Sequence, residues 1–372
     1  MNASDDELLY RVALTMIPEL GPVCAKALTD HFGDAVSIFK AKKKELAAVE
    51  SMGAVRARYL KEWNQFAAAE EELAFIAKHQ VKTLFLTDPA YPQRLLHCYD
   101  PPTLLYYRGV AELNCPRIVS IIGTRNHSEY GKQVTEQLVA GLHAQQVLVV
   151  SGLAFGIDAL AHRAALQSGS RTVGVLAHGL DTMYPVQHKA LAREMLAQGG
   201  LLTEFRKNTK PDKHNFPRRN RIVAGLADAT VVIETATRGG SMITAELAHN
   251  YNRDLFAVPG RTSDLKSSGC LRLIQQNKAM LFTSTEQLIE TLGWEDKKKK
   301  HPAVQQRDLF VDLTPEEKKI TGLLQEKGSM AIDELYIRSG LSSSSMAVVM
   351  LQLELKNIVS ALPGKHYQLI DG

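Results

Sequence analysis

The sixteen residues from 206 to 221, RKNTKPDKHNFPRRNR, carry seven Lys or Arg (206, 207, 210, 213, 218, 219 and 221) against one acid, Asp212. Their net charge of +6 exceeds the +4 of the whole 372-residue chain. Cations bind phosphates, and the ring of Phe216 among them offers a face to a base. A charge run alone reads as a solvated loop. The ring and the position of the run argue otherwise. It follows a predicted strand at 201–205 and precedes a predicted helix at 218–226, where an open α/β sheet places its ligand.

Each of the other predicted strand ends nearby carries Gly or small polar residues. Gly123-Thr124-Arg125-Asn-His-Ser128-Glu-Tyr-Gly131 follows the first strand, Ser151-Gly152-Leu-Ala-Phe-Gly156-Ile-Asp158 the second and His178-Gly-Leu-Asp-Thr-Met-Tyr184-Pro the third. Glu234-Thr-Ala-Thr-Arg-Gly239-Gly240-Ser241-Met-Ile-Thr244 follows the fifth. Glycine lets a backbone approach an anion, and the helix that follows adds free N–H groups and its positive dipole end. Five such ends side by side make an anion-binding rim. None is a dinucleotide fingerprint, because Arg125 stands where the second Gly would be, and no P-loop pattern occurs. No cofactor is expected. Asp158 and Glu234 are candidates for a general acid and base. The competing role for Asp158 is to order its own loop. Glu246 is placed to hold the N–H groups of the Gly239 loop or to contact a ribose. His127, His178 and His214 have no metal-ligand spacing.

The elements that must position these residues read clearly. From Arg117 onward, short apolar runs alternate with helix-length amphipathic stretches. The runs are 118–122, 147–150, 172–176, 201–205, 230–233, 255–258 and 280–282; the helices are 129–145, 156–168, 187–198, 218–227, 241–251 and 268–277. Such alternation predicts an α/β fold, a doubly wound, mainly parallel, extended Rossmann-like sheet with helices on both faces. A helix at 67–78 precedes it, followed by an extended, proline-punctuated stretch at 88–102 that leads to Leu104-Leu-Tyr-Tyr-Arg-Gly109.

Residues 1–66 read as a helical domain of the helix-hairpin-helix (SAM-like) kind. The turns at Gly21 and Gly53 can expose backbone N–H groups to a DNA phosphate. Nine basic and nine acidic residues balance there, which argues against DNA. The extended Rossmann-like domain spans 67–293. A polar, lysine-rich linker is expected at 294–312. Residues 313–372 follow the helix, helix, helix, hairpin order of a winged helix, with Thr314 capping the first helix and Pro315 at its first position. Six basic against seven acidic residues favour a protein-facing role there over reading duplex DNA.

Composition bounds the rest. The chain is 45% hydrophobic and 23% charged, which suits packed globular domains. No apolar run is long enough to span a bilayer, and the acidic start MNASDDELLYR lacks signal-peptide form. Four scattered cysteines indicate neither a zinc site nor disulfides, so the cytoplasm is the expected compartment.

Four motifs in fixed order, Gly123-Thr-Arg-x-x-Ser-x-Tyr-Gly131, Ser151-Gly-x-Ala-x-Gly-Ile-Asp158, Phe216-Pro-x-Arg-Asn-Arg221 and Gly239-Gly-Ser-x-x-Thr-Ala245, resemble the DprA/Smf family of DNA-processing proteins. The likeness covers about residues 90–293. It implies a non-enzymatic protein that binds single-stranded DNA, dimerises and loads RecA on incoming strands during natural transformation. Residue by residue, it implies that Arg125 and Lys213 hold phosphates and that Phe216 stacks on a base. The Gly123–Ser128 loop with Thr124 and Gly239-Gly240-Ser241 supply backbone donors, Arg218, Asn220 and Arg221 shape the pocket, and Ser151, Gly152 and Arg219 count among the DNA-binding residues. Two other readings compete. One is a nucleoside-phosphate hydrolase built on the Gly239 loop and Glu246; the other is a duplex-DNA regulator acting through the winged helix.

Overall fold

Alternate residues of the strand Ile118–Ile122 enter different cores. Ile118 and Ile122 join one, Val119 and Ile121 the other. A strand buried on both faces must be apolar throughout, so its sequence reads as a run rather than an alternation. The computed structural model describes residues 3–295, 313–356, 358–362 and 366–370. They divide into two compact units, Met1–Trp294 and Glu295–Gly372. Apart from Trp294 and Glu295, the predicted linker lies outside the described residues.

The first unit begins with α1 (Ala3–Leu14), α2 (Pro22–Phe32), α3 (Ala35–Lys40), α4 (Lys43–Ala48), α5 (Gly53–Glu62) and α6 (Phe66–Lys78). There follow β1 (Lys82–Phe85), α7 (Gln93–Leu96), β2 (Leu104–Gly109), β3 (Ile118–Ile122), α8 (Glu129–Ala144), β4 (Leu148–Ser151), α9 (Ile157–Gln167) and β5 (Thr172–Val175). The unit ends with α10 (Lys189–Gln198), β6 (Gly200–Thr203), α11 (Asn215–Leu226), β7 (Ala229–Val232), α12 (Gly240–Asn250), β8 (Asp254–Ala257), α13 (Ser268–Gln275), β9 (Met280–Leu281) and α14 (Thr285–Thr291).

Nine strands form one sheet in the order β1-β2-β6-β5-β4-β3-β7-β8-β9. From β6 to β9 every neighbouring pair is parallel. All seven expected strands are present. The sequence reading missed β1 and β2; β1 pairs antiparallel with β2, and β2 antiparallel with β6. Residues 104–107 are buried without interruption, so they show no period to distinguish a strand from an extended connection. Val, Ile, Leu and Ala from α8 and α9 fill the core on one face, and those from α11 and α12 fill the core on the other. Burying each such side chain contributes about 1.5–3 kcal/mol for the larger ones.

The turns at Gly21 and Gly53 lie side by side. The Arg56 guanidinium donates to Glu19 O at 3.0 Å and to Ser51 O at 2.7 Å, joining the two. These helices share a core with the sheet; Leu9, Val12, Leu60 and Ala69 belong to the same cluster as Phe85 and Leu104. Arg11 adds an ion pair to Asp88 at 2.8 Å and lies 4.7 Å from the Phe85 ring centroid.

The second unit is a winged helix: α15 (Pro315–Lys327), β10 (Ser329–Ala331), α16 (Ile332–Ser339), α17 (Ser343–Leu355), β11 (Val359–Leu362) and β12 (His366–Leu369). Thr314 and Glu317 form a capping box at the start of α15. The strands order as β10-β12-β11, one strand more than the expected hairpin. Among the described residues no helix is long and apolar enough to cross a membrane.

Candidate nucleic-acid interface

β6, β5, β4, β3 and β7 are consecutive and parallel in the sheet, so their carboxyl ends share one edge. From β3 the chain builds outward through β4, β5 and β6, then crosses to β7 on the other side. The β3–β7 junction is thus the topological switch point, where open α/β sheets bind ligands. A cavity of about 330 Å³ lies there, lined by the loops after β3, β4 and β7 and by α11.

The loops hold one another in place. Thr124 N donates to Glu234 O at 2.7 Å, and Ser128 N donates to Glu234 Oε2 at 2.9 Å. Ser128 Oγ donates to the same carboxylate and accepts Gly131 N at 3.0 Å, capping α8. Ile157 N donates to Thr124 O at 3.1 Å. Gly156, at φ +78°, makes that approach possible, since a Cβ there would lie 2.2 Å from Thr124 O. Asn220 Nδ2 donates to Gly240 O at 3.2 Å, and the hydroxyls of Thr235 and Ser241 pair at 2.7 Å. The result is a rigid frame around the mouth of the cavity.

Gly123, Thr124, Arg125, Gly152, Phe216, Arg219, Asn220, Gly239, Gly240 and Ser241 all line it. Lys213 lines an adjoining hollow of about 530 Å³ together with Arg125 and Phe216. Arg125 and Lys213 are exposed, Phe216 half-buried. The Arg125 guanidinium carbon lies 5.7 Å from the Phe216 ring centroid. Among the described residues no carboxylate is within ion-pair distance of Arg125 or Lys213, so both charges are available to an anion.

Arg219 forms the buried floor. It donates to Gly152 O, Val175 O and Asn220 Oδ1. Burial pulls its pKa down to about 10, with Asp158 opposing the shift, so it stays cationic at neutral pH. Burial raises the Asp158 carboxyl, while Arg219 and the N–H of Ala154 pull it back. Asp158 Oδ2 accepts Ala154 N at 3.3 Å, so Asp158 orders its loop. Glu234 is committed to Ser128. Glu246 neither reaches the Gly239 loop nor stays free for a ribose, for it holds Lys278 Nζ at 2.7 and 2.8 Å.

Other expected site residues point elsewhere. Ser151 Oγ, fully buried, donates to Ile121 O at 2.6 Å. Arg221 is buried in an ion pair with Glu204 and also donates to Asp100 O. Arg218 is exposed but lies over the Phe205 ring, 5.1 Å from its centroid. The start of the basic run docks on α6, with Lys207 N donating to Glu72 Oε1 at 3.1 Å and Lys207 Nζ 3.3 Å from Glu71. The run is therefore not one continuous patch. Of its seven cations, Lys213 and Arg219 line the two hollows.

Helix α11 begins at Asn215, three residues before the expected start, which puts Phe216 in its first turn. Pro217 carried the signal, since the first turn is where a helix tolerates proline. Arg238, exposed on the lip, and Tyr184, 5.8 Å from Phe216 between ring centroids, had no role in the sequence reading. Both stood inside the quoted loops, and only three-dimensional proximity to Phe216 and Arg125 distinguishes them from their neighbours.

Comparison with known proteins agrees with this architecture. The model of the family "DNA recombination-mediator protein A" matches residues 82–293, and that of the DprA winged helix domain matches residues 306–365. Protein Smf of Synechocystis is 33% identical, the match covering 98% of this chain and 99% of that protein. The X-ray structure of DNA processing protein A from Streptococcus pneumoniae superposes with a TM-score of 0.67 at 31% identity, covering 76% of this chain and 97% of that one. DNA processing protein A of Helicobacter pylori, described for its single-stranded DNA binding mode, gives 0.53 at 33% identity over 57% of this chain and 95% of that one. The chain belongs to the DNA recombination-mediator protein A family.

Proposed function

We propose that this protein binds single-stranded DNA, whatever its sequence, along the carboxyl edge of its sheet, and delivers the strand to RecA. The observation that carries the binding is the meeting of Arg125, Lys213 and Phe216 around hollows at the switch point. Two unpaired cations and the N-terminus of α12 supply the attraction for phosphates. Phe216 supplies a stacking face that any base can use. Stacking needs a base free of its partner, which favours a single strand over a duplex. The single-stranded DNA binding mode of the Helicobacter pylori relative supports the same reading.

The role is one of binding rather than catalysis. Ser128 braces the loop walls through Glu234, Ser151 and Arg221 are buried in the scaffold, and Gly239 to Ser241 offer backbone N–H groups. Delivery to RecA in the cytoplasm during transformation rests on family membership. So does a homodimer, for which the exposed Met280 and Leu281 on the edge strand β9 offer a surface.

The test is competition between a dT oligonucleotide and a duplex of equal length. The proposal expects at least a tenfold preference for the single strand; equal or reversed preference contradicts it. The delivery step expects the strand-dependent ATP hydrolysis of RecA to rise when the protein is added.

A further inference from the structure

Three aromatic side chains meet where the loops after β4 and β5 approach the start of α11. Phe155 and Tyr184 are each 40% exposed, so a ring face of each is open to a ligand. Together with Phe216 and Arg125 they line a cleft continuous with the hollow that holds Lys213. The Tyr184 and Phe216 rings are 5.8 Å apart between centroids and tilted by 56°. A base clamped between two rings needs them parallel and roughly 7 Å apart, two van der Waals contacts of about 3.5 Å each. These rings therefore cannot share one base. Each offers its own outer face.

The loop that carries Tyr184 is held from below. The buried His178 Nε2 accepts the backbone N–H of Tyr184 at 3.2 Å, and its Nδ1–H donates to Gly179 O at 2.9 Å. Thr203 Oγ1 donates to His178 O at 2.9 Å, tying this anchor to β6. Phe155 rests its ring against buried His188, 5.0 Å between centroids. A ring fixed in place before binding loses less entropy on stacking than a mobile one.

We propose that Tyr184 is a second nucleobase platform, so that consecutive bases stack on Phe216 and Tyr184 and the strand runs from the β7 end toward the β5 end. This rests on the single-strand reading above and adds a direction and a second base contact to it.

The experiment titrates labelled dT oligonucleotides of increasing length, starting from the shortest that binds measurably, against the full chain and its Tyr184→Ala, Tyr184→Phe and Arg125→Ala variants. Tyr184→Ala is expected to weaken the longer strands about tenfold and to leave the shortest unaffected, which also reports that the variant is folded. Tyr184→Phe, which keeps the ring, is expected to bind like the parent. Arg125→Ala is expected to weaken every length. If Tyr184→Ala binds all lengths like the parent while Arg125→Ala is weakened, the second platform is wrong and the single-strand reading stands. If Tyr184→Ala weakens every length alike, the ring belongs to the first nucleotide and the proposed direction is wrong. If Arg125→Ala has no effect either, both readings fall.

Discussion

The carboxylate of Glu234, at the end of β7, accepts the backbone N–H of Ser128, in the loop after β3, at 2.9 Å across the switch point. This bond and its partner from Ser128 Oγ fix the two walls of the cavity relative to each other. Glu234→Ala leaves the Ser128 N–H without its acceptor and loosens the α8 cap. A loss of about 2–3 kcal/mol is expected in urea unfolding. Glu234→Gln, which keeps one acceptor, is expected to recover about half of it.

Gly156 sits at φ +78°, and a Cβ there would strike Thr124 O. Gly293 also has positive φ, at +64°, but nothing lies within 4 Å of a Cβ built on it. Gly293→Ala is expected to cost about 1 kcal/mol, the backbone term alone. Gly156→Ala is expected to cost about 3 kcal/mol or more and to weaken oligonucleotide binding, since the loops after β3 and β4 must separate. Thermal or urea unfolding of the pair checks this; equal costs would contradict it.

Arg221 is spent on stability. Its buried pair with Glu204 leaves no route to a ligand at the cavity mouth. Arg221→Met is expected to lose about 3 kcal/mol, because it leaves the buried Glu204 with only the exposed Arg218, 3.8 Å away, as a counter-charge. The fraction that stays folded is expected to bind a dT oligonucleotide as the parent does. Denaturation and titration on the same preparation separate the two effects.

This division between Arg221 and its neighbours marks the limit of the sequence. The parallel sheet was legible because doubly buried strands are continuous apolar runs, and the glycines at their ends marked the binding edge. That Arg125 and Phe216 stand at the carboxyl edge of the sheet was legible from position. Arg218, Arg219 and Arg221 were not separable, because a helix turns each by about 100° and only packing shows which one reaches the cavity. Tyr184 was overlooked because its importance lies in its distance from Phe216, residues that sequence places 32 positions apart. β2 was overlooked because its buried residues leave no alternation to read, and β1 because four residues are too few to show a period.

His162 predicts an acid sensitivity. Its Nδ1 meets Thr172 Oγ1 at 2.7 Å, and that hydroxyl donates to Val149 O, so Nδ1 carries a proton; the buried Nε2 has no partner for a second one, which favours the neutral ring. Burial lowers its pKa from the ordinary 6.5 to about 3, with His188 and Arg219 adding to the shift. Well above pH 6.5 neither the folded nor the unfolded chain protonates it, and the full stability is present. Below that, the unfolded chain takes the proton and the folded chain does not, so stability falls as pH drops toward 3. The loss between pH 6.5 and 5 is expected to be about 2 kcal/mol. His162→Leu is expected to flatten this part of the profile in urea unfolding; an unchanged slope would contradict the assignment.

Whether Arg125 and Lys213 hold phosphates beside a stacking ring is read from the salt dependence of dT oligonucleotide binding for the parent, Arg125→Ala and Lys213→Ala. Each substitution is expected to weaken binding about tenfold at moderate salt. Each is also expected to make the slope of log affinity against log salt shallower by about 0.7, the value for one lost phosphate contact on a single strand. Affinity and slope unchanged in both variants would contradict the account.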